Sequence, residues 1–160
     1  MTTSADPAPP KSHPYLGEID LERAGWYELT GLCRGLTPEE RVEPGFYRDP
    51  DWSVKDLVAH VGTWLAQAQV QLEQIGAGTY EDGPIDIDAL NAQFLATMGE
   101  QPWSIVWTQA HAARTMMLLT WFGLDTRTDA ADWWVRKSGA DHYAEHLYRL
   151  RDWVGDIAGG

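Results

Sequence analysis

The stretch SVKDLVAHVGTWLAQAQVQLEQIG, residues 53–76, carries the clearest structural signal in this 160-residue chain. Ser53 followed by Asp56 is typical of the capping arrangement at a helix start, where an acidic residue also interacts favourably with the helix dipole. Gly76 and Gly78 are typical of a helix end. The apolar residues between these signals recur at steps of three and four: Val54, Leu57, Val58, Val61, Leu65, Ala68, Leu72 and Ile75. This pattern predicts a long amphipathic helix.

Similar helical patterns lie on both sides of this stretch. They predict helices over Glu18–Leu36, Ile85–Met98, Trp103–Phe122 and about Ala130–Ile157, the last with an interruption at Ser138–Gly139. No segment shows the sustained polar–apolar alternation of a strand. Four or five long amphipathic helices with short connections predict an all-α protein, built as an antiparallel four-helix bundle.

The remaining segments are predicted to be irregular. Met1–Pro14 contains four prolines among small polar residues, so we predict a disordered tail over residues 1–14 and one domain over residues 15–160. Thr37–Asp51 is rich in residues that break helices and is predicted to be a loop. Cys33 is the only cysteine, which excludes an internal disulfide and a cysteine-rich metal motif. We interpret it as a small core residue.

The net charge of the chain and its N-terminal sequence allow predictions of its binding partners and its cellular location. The chain has 12 Lys and Arg against 24 Asp and Glu, a formal net charge of −12. Phosphate backbones and anionic membrane surfaces attract clustered cations, so we expect neither nucleic acid nor a membrane as a partner. The N-terminus has neither the basic flank nor the apolar centre of a signal peptide, and no apolar run approaches the ~20 residues of a membrane-spanning helix. We therefore expect a cytoplasmic protein.

Three of the five histidines stand out by their positions. In ADHYAEHLYRLRDW, residues 140–153, His142 and His146 are four residues apart, so they lie one turn apart on the same side of a predicted helix. His60 occupies a comparable position beside the apolar stripe of the first helix described. One interpretation is polar residues on a solvated helix face. The other is a three-imidazole metal site with open positions for water or substrate, as in catalytic centres.

Three segments resemble those of the DinB-like superfamily, which includes the N-terminal domain of mycothiol-dependent maleylpyruvate isomerase. WSVKDLVAHVGTW, residues 52–64, resembles its Trp-Ser-Val-(Arg/Lys)-Asp-Leu-x-x-His signature. DHYAEHLYRLRDW, residues 141–153, resembles the late HxxxH-type motif, and IDIDALNAQF, residues 85–94, is similar to a segment between them. The resemblance covers most of Ile19–Ile157. It implies a DinB/YfiT-like four-helix bundle.

The resemblance also implies a cofactor, chemistry and partners. A divalent ion, often zinc or nickel, would be held by the matching residues His60, His142 and His146. The implied activity is transfer or isomerisation with a low-molecular-weight thiol such as mycothiol, or hydrolysis, acting on a small electrophilic molecule. Family members often form homodimers. The alternative is a metal-free binding or self-resistance protein of the colibactin-resistance type, which has a similar WSVKD segment, and a third hypothesis is a bundle that serves association alone.

Four further residues are candidates for the site. Glu145 could act as a base or orient His146, and Arg149 could hold a substrate carboxylate. Trp64 and Trp153 could form walls of a substrate pocket. The alternatives are a solvated helix position for Glu145, a surface ion pair for Arg149 and core packing for the two tryptophans.

Overall fold

The computed structural model of the protein describes residues 6–7, 16–126 and 128–159. Within these residues the chain forms helices and no strand; its only β-type pairing is an isolated bridge between Tyr47 and Trp52. None of these helices has the length and hydropathy needed to cross a bilayer. The helices are α1 (Leu16–Arg34), α2 (Pro38–Arg41), α3 (Val54–Ala77), α4 (Ile87–Met98), α5 (Trp103–Phe122), α6 (Asp129–Ser138) and α7 (Ala140–Gly159). The prediction of an all-helical protein is confirmed.

Helix α3 occupies the centre of the packing. The Ser53 side chain accepts a hydrogen bond from the backbone N–H of Asp56, and the Asp56 carboxylate accepts one from the backbone N–H of Ser53. Gly78 ends the helix with φ of 75°. α3 packs against α4, α5, α6 and α7, and α1 packs against α7. Gly62 lies so close to α5 that a Cβ there would be 3.0 Å from Ala110. The absence of a side chain at Gly62 therefore allows the two helices to approach closely.

The structure adds a short helix to one predicted loop and confirms one predicted interruption. The predicted loop after α1 contains the short helix α2, which Thr37 caps by accepting from the N–H of Glu40. The interruption predicted at Ser138–Gly139 is confirmed, because it separates α6 from α7 and Gly139 has φ of −101° and ψ of −110°, which are not helical. A Cβ at Gly139 would be 2.7 Å from the carbonyl oxygen of Val135. This close approach to the backbone is the physical reason for a glycine at the division.

The predicted N-terminal tail lies mostly outside the described residues, since the structure describes only two of its positions. Arg23 donates hydrogen bonds to the carboxylate of Asp6 (3.0 Å) and to the carbonyl of Pro7 (2.7 Å). Arg114 also donates to Asp6. Asp6 and Pro7 therefore contact the helical domain.

Candidate metal centre

The structure brings three histidines from two helices together. His60 lies on α3, and His142 and His146 lie one turn apart on α7; their ligand nitrogens are all within 4.8 Å of one another. The Nε2 atoms of His60 and His142 are 2.9 Å apart. His146 has its ring centroid 5.2 Å from that of His60. The cluster therefore presents several imidazole nitrogens to one small volume.

The apolar face of α7 explains why the two histidines are directed inward. Tyr143, Leu147 and Leu150 are buried in the core, and the histidines lie on the edge of this face with 7% of their surface exposed. On α3, His60 follows the buried residues Leu57 and Val58. The amphipathic pattern of each helix therefore determines that the three imidazoles lie at the edge of the core.

Burial keeps these imidazoles in their neutral form. Burial, followed by the nearby His146, lowers the pKa of His60 to about 3. The pKa of His142 lies well below its ordinary value because of burial and the other two histidines, although the backbone carbonyl of Ser138 acts in the opposite direction. Burial also lowers the pKa of His146, against the opposing charge of Glu145. Neutral imidazole is the form that binds metal ions.

The three imidazoles could hold a metal ion. The hydroxyl of Tyr47 is 2.8 Å from Nδ1 of His146, whereas Nε2 of His146 is buried without a hydrogen-bond partner. When Nδ1 carries the proton and donates it to the Tyr47 oxygen, Nε2 has its lone pair free. Metal-binding histidines commonly donate their second N–H to an oxygen in this way. Three nitrogen ligands with an open position are typical of catalytic zinc sites.

Sequence reasoning did not predict that Tyr47 contacts His146 or that Trp52 packs against His60. The backbone N–H of Phe46 donates to the Trp52 carbonyl (2.8 Å) and that of Trp52 to the Tyr47 carbonyl (3.0 Å), so the loop before α3 folds back on itself. This places the Trp52 ring 4.9 Å from the His60 ring. Trp52 directly precedes the Ser53 cap, and this position could have indicated that its ring lies near the first turns of α3, where His60 is. No local pattern indicates Tyr47.

A cavity of about 360 Å³ lies directly beside the cluster, and we call it the inner cavity. His60 and His142 form part of its wall, together with Trp64, Asn91 and Glu145. The indole N–H of Trp64 donates to the side-chain oxygen of Asn91 at 2.7 Å. Two of the four further candidates, Trp64 and Glu145, therefore line this cavity.

The structure places the other two candidates, Arg149 and Trp153, against the loop before α3. Arg149 donates to the backbone carbonyls of Phe46 (2.8 Å) and Gly45 (3.3 Å). Its guanidinium also lies over the Trp153 ring, 5.2 Å from the centroid. Trp153 contacts Phe46, with ring centroids 6.0 Å apart. Arg149 therefore uses its donors to attach the loop to α7, and the loop carries Tyr47.

Two other residues of interest lie outside the cluster. Cys33 is fully buried in the core, and burial raises the pKa of its thiol to about 12. His111 packs between Trp26 and Trp107, with ring centroids 5.0 and 4.6 Å away. The interpretation of Cys33 as a core residue agrees with its position, and His111 lies apart from the three clustered histidines.

Solved structures share this fold. An uncharacterised protein from Escherichia coli UTI89 matches with a TM-score of 0.72 and 16% sequence identity, over 88% of this chain and 92% of that chain. The colibactin self-resistance protein ClbS, solved in complex with a double-stranded DNA, matches with a TM-score of 0.69 and 16% identity, over 84% and 92% of the two chains. No protein-family model matches the sequence, and neither does any curated protein. The similarity is therefore one of helical fold.

The comparison with ClbS corrects one expectation. Net charge led us to exclude nucleic acid as a partner, and this exclusion is wrong because a protein of the same fold was solved with double-stranded DNA. A net charge sums over the whole surface, whereas contacts with phosphates depend on where the cations lie. Arg136 and Lys137, for example, are adjacent on α6 and each is 53% exposed.

Proposed function

We propose that the protein is a DinB-like four-helix bundle, with α1, α3, α5 and α7 as its long helices, that binds a divalent metal ion and acts on a small electrophilic molecule. His60, His142 and His146 are the proposed ligands. The observation that supports this most directly is the convergence of their ligand nitrogens within 4.8 Å. Their low pKa values and the unpartnered Nε2 of His146 support it further.

The proposed chemistry follows from what borders the cluster. An ion held there would supply a Lewis acid that lowers the pKa of a water or thiol. Trp64 orients a substrate in the inner cavity, and Glu145 accepts a proton at its carboxylate. The proposed reactions are transfer or isomerisation with a low-molecular-weight thiol such as mycothiol, and hydrolysis. Zinc or nickel as the ion and a homodimeric assembly in the cytoplasm belong to the same proposal.

A second candidate function is metal-free binding of a reactive small molecule, in a self-resistance role of the colibactin-resistance type. The similarity to ClbS favours it, and so does one feature of the cluster. The Nε2 atoms of His60 and His142 are at hydrogen-bond distance, so these two imidazoles can satisfy each other without an ion. Duplex DNA belongs among the ligands to be tested for this candidate.

Metal analysis distinguishes the two candidates. The protein is purified without an affinity tag, and bound Zn, Ni, Fe and Mn are measured by mass spectrometry before and after incubation with each ion. We expect one tightly bound ion per chain. Protein that is metal-free and takes up none of the added ions would contradict the metal-dependent function and favour the second candidate.

Substitutions of the proposed ligands test where the ion binds. The double variant His142→Ala/His146→Ala is expected to lose uptake while its far-UV circular dichroism stays helical. His111→Ala is the matched control, since His111 lies between Trp26 and Trp107 outside the cluster. Retained uptake in the double variant would place the ion elsewhere.

A further inference from the structure

A second cavity, which we call the outer cavity, adjoins the inner cavity. The outer cavity measures about 550 Å³ and shares the walls Ile85, Ile87 and Trp133 with the inner cavity. It extends to Asp82, before α4, and to Asp129, at the start of α6. Volumes of this size are typical of sites for drug-sized molecules. A ligand that fills both would be elongated.

We call the inner and outer cavities together the groove, and its walls offer flat aromatic surface. The indole N–H of Trp64 donates to the side-chain oxygen of Asn91 (2.7 Å), and that of Trp134 donates to the Tyr80 hydroxyl (3.2 Å). What these two indoles can present to a ligand is therefore ring surface. Trp133, which borders both cavities, is 40% exposed. Such surfaces bind flat apolar groups, and their faces also attract cations.

The charged residues along the groove favour a positive ligand. Asp82 and Asp129 line the outer cavity and Glu145 lines the inner one. Among the described residues that line either cavity, Lys137 is the only lysine or arginine. Its ammonium group is 3.8 Å from the carboxylate of Asp141, which Arg136 also approaches to 3.8 Å, so Asp141 offsets part of its charge. The chain as a whole has a net charge of −12. The charges that line the two cavities therefore favour a cation over an anion at this place.

We propose that the groove binds an elongated aromatic cation, whose flat body lies against Trp133 and whose positive group lies between Asp82 and Asp129. The opposite end of the ligand then lies beside His60 and His142. The proposal rests on the proposed function in one respect, namely that the inner cavity is the small-molecule site. It requires no metal ion, and it selects against the carboxylate substrates for which Arg149 was a candidate.

Calorimetric titration of chelator-treated protein tests this proposal. The ligands are three aromatic probes: thioflavin T, a flat cation; N-phenyl-1-naphthylamine, which is neutral; and 8-anilinonaphthalene-1-sulfonate, an anion. We expect thioflavin T to bind at least tenfold more tightly than the anion. Trp133→Ala should weaken thioflavin T and the neutral probe alike. Asp82→Asn/Asp129→Asn should weaken thioflavin T about threefold to tenfold, as loss of two exposed charges implies, and leave the neutral probe unchanged.

Asp156→Asn is the matched control, because Asp156 is an exposed carboxylate on α7 that lines neither cavity. Three results would each overturn the proposal: equal or tighter binding of the anion, no effect of the Asp82 and Asp129 substitutions, or no binding of any probe. Failure of the proposed metal function has a different signature. It would appear as lost metal uptake with the preference for the cation retained.

Discussion

At the residue scale, the contact between Tyr47 and His146 determines which imidazole nitrogen is free. The Tyr47 hydroxyl lies 2.8 Å from Nδ1 of His146, and Nε2 of that ring faces no hydrogen-bond partner. A phenol can accept the Nδ1 proton or donate its own, and only the first arrangement leaves Nε2 able to bind an ion. Tyr47 therefore acts on the proposed centre through His146.

We predict that Tyr47→Phe raises the Kd for zinc by roughly tenfold to a hundredfold, the usual effect of removing a residue that orients a ligand. Competition with a chromophoric chelator measures it. Phenylalanine keeps the ring packing on His146, so helicity should not change. Tyr148→Phe is the control, since Tyr148 is 74% exposed. Equal affinities in the two variants would exclude this role for Tyr47.

The low pKa of His60 predicts a pH dependence of stability. The folded value of about 3 lies below the unfolded value of about 6.5. As the pH falls below about 6.5, the unfolded chain takes up a proton that the folded chain does not bind until about pH 3. The stability is therefore complete above about pH 6.5 and falls across this window. His142 and His146 shift in the same direction.

Urea unfolding in the presence of a chelator measures this dependence. Between pH 7.5 and pH 5, His60 alone should lower the free energy of unfolding by about 2 kcal/mol. His60→Gln, which does not titrate in this range, should show a smaller decrease over the same interval. A pH dependence that is the same in both proteins would rule out the buried neutral His60.

At the element scale, the close approach of α3 and α5 depends on Gly62. A Cβ at this position would lie 3.0 Å from both Cα and Cβ of Ala110, and the neighbouring atom is backbone that cannot easily move. His60 and Trp64 lie on α3 two positions before and two positions after Gly62. A shift of this helix pair would therefore move one ligand of the proposed centre and one wall of the inner cavity.

We predict that Gly62→Ala lowers the free energy of unfolding by about 1–3 kcal/mol, as overpacking does. Gly155→Ala on α7 is the matched control, because nothing lies within 4 Å of a Cβ there. Alanine has the higher helix propensity, so this second change should stabilise the protein by up to about 1 kcal/mol. Chemical denaturation measures both. A Gly62→Ala protein as stable as the parent would show that the helices separate at little cost.

At the scale of the whole molecule, a buried polar network joins α1, α5 and α7. Arg114 donates two hydrogen bonds of 2.6 Å to the carboxylate of Glu22, and the Tyr143 hydroxyl donates a third to the same carboxylate at 3.0 Å. All three residues are buried. Removing one partner of such a network leaves an uncompensated charge in the core.

We predict that Arg114→Met lowers the free energy of unfolding by about 3–5 kcal/mol. The double variant Glu22→Leu/Arg114→Met should recover part of this loss, because no fully buried charge is then left unpaired and Asp6 keeps its hydrogen bond from Arg23. The exposed pair Arg151–Glu28 is the control, and Arg151→Met should cost at most about 1 kcal/mol. Equal losses for the buried and exposed arginines, or a double variant that loses the full sum, would contradict a coupled buried network.

The sequence by itself determined the helices and the positions of the three histidines on them. The Ser53 cap, the apolar periodicity and Gly78 after α3 are local signals, and the predicted bounds of α5 agree with the structure at both ends. Local signals are sufficient here because the periodicity and end signals of a helix are encoded in nearby residues. The same reasoning predicted the interruption at Ser138–Gly139, but it could not show the short helix α2 or the close approach of Gly139 to the Val135 carbonyl.

Only the tertiary structure decided what these residues contact. Tyr47 meets His146 across 99 positions, and Arg149 reaches the Phe46 carbonyl across 103. No periodic pattern encodes such a pair, since it depends on how a loop folds onto a helix already packed in place. The distribution of charge is equally tertiary. The net charge of −12 was not sufficient to exclude nucleic acid as a partner. The carboxylates that line the groove could be identified only from the packing of α4, α6 and α7 around it.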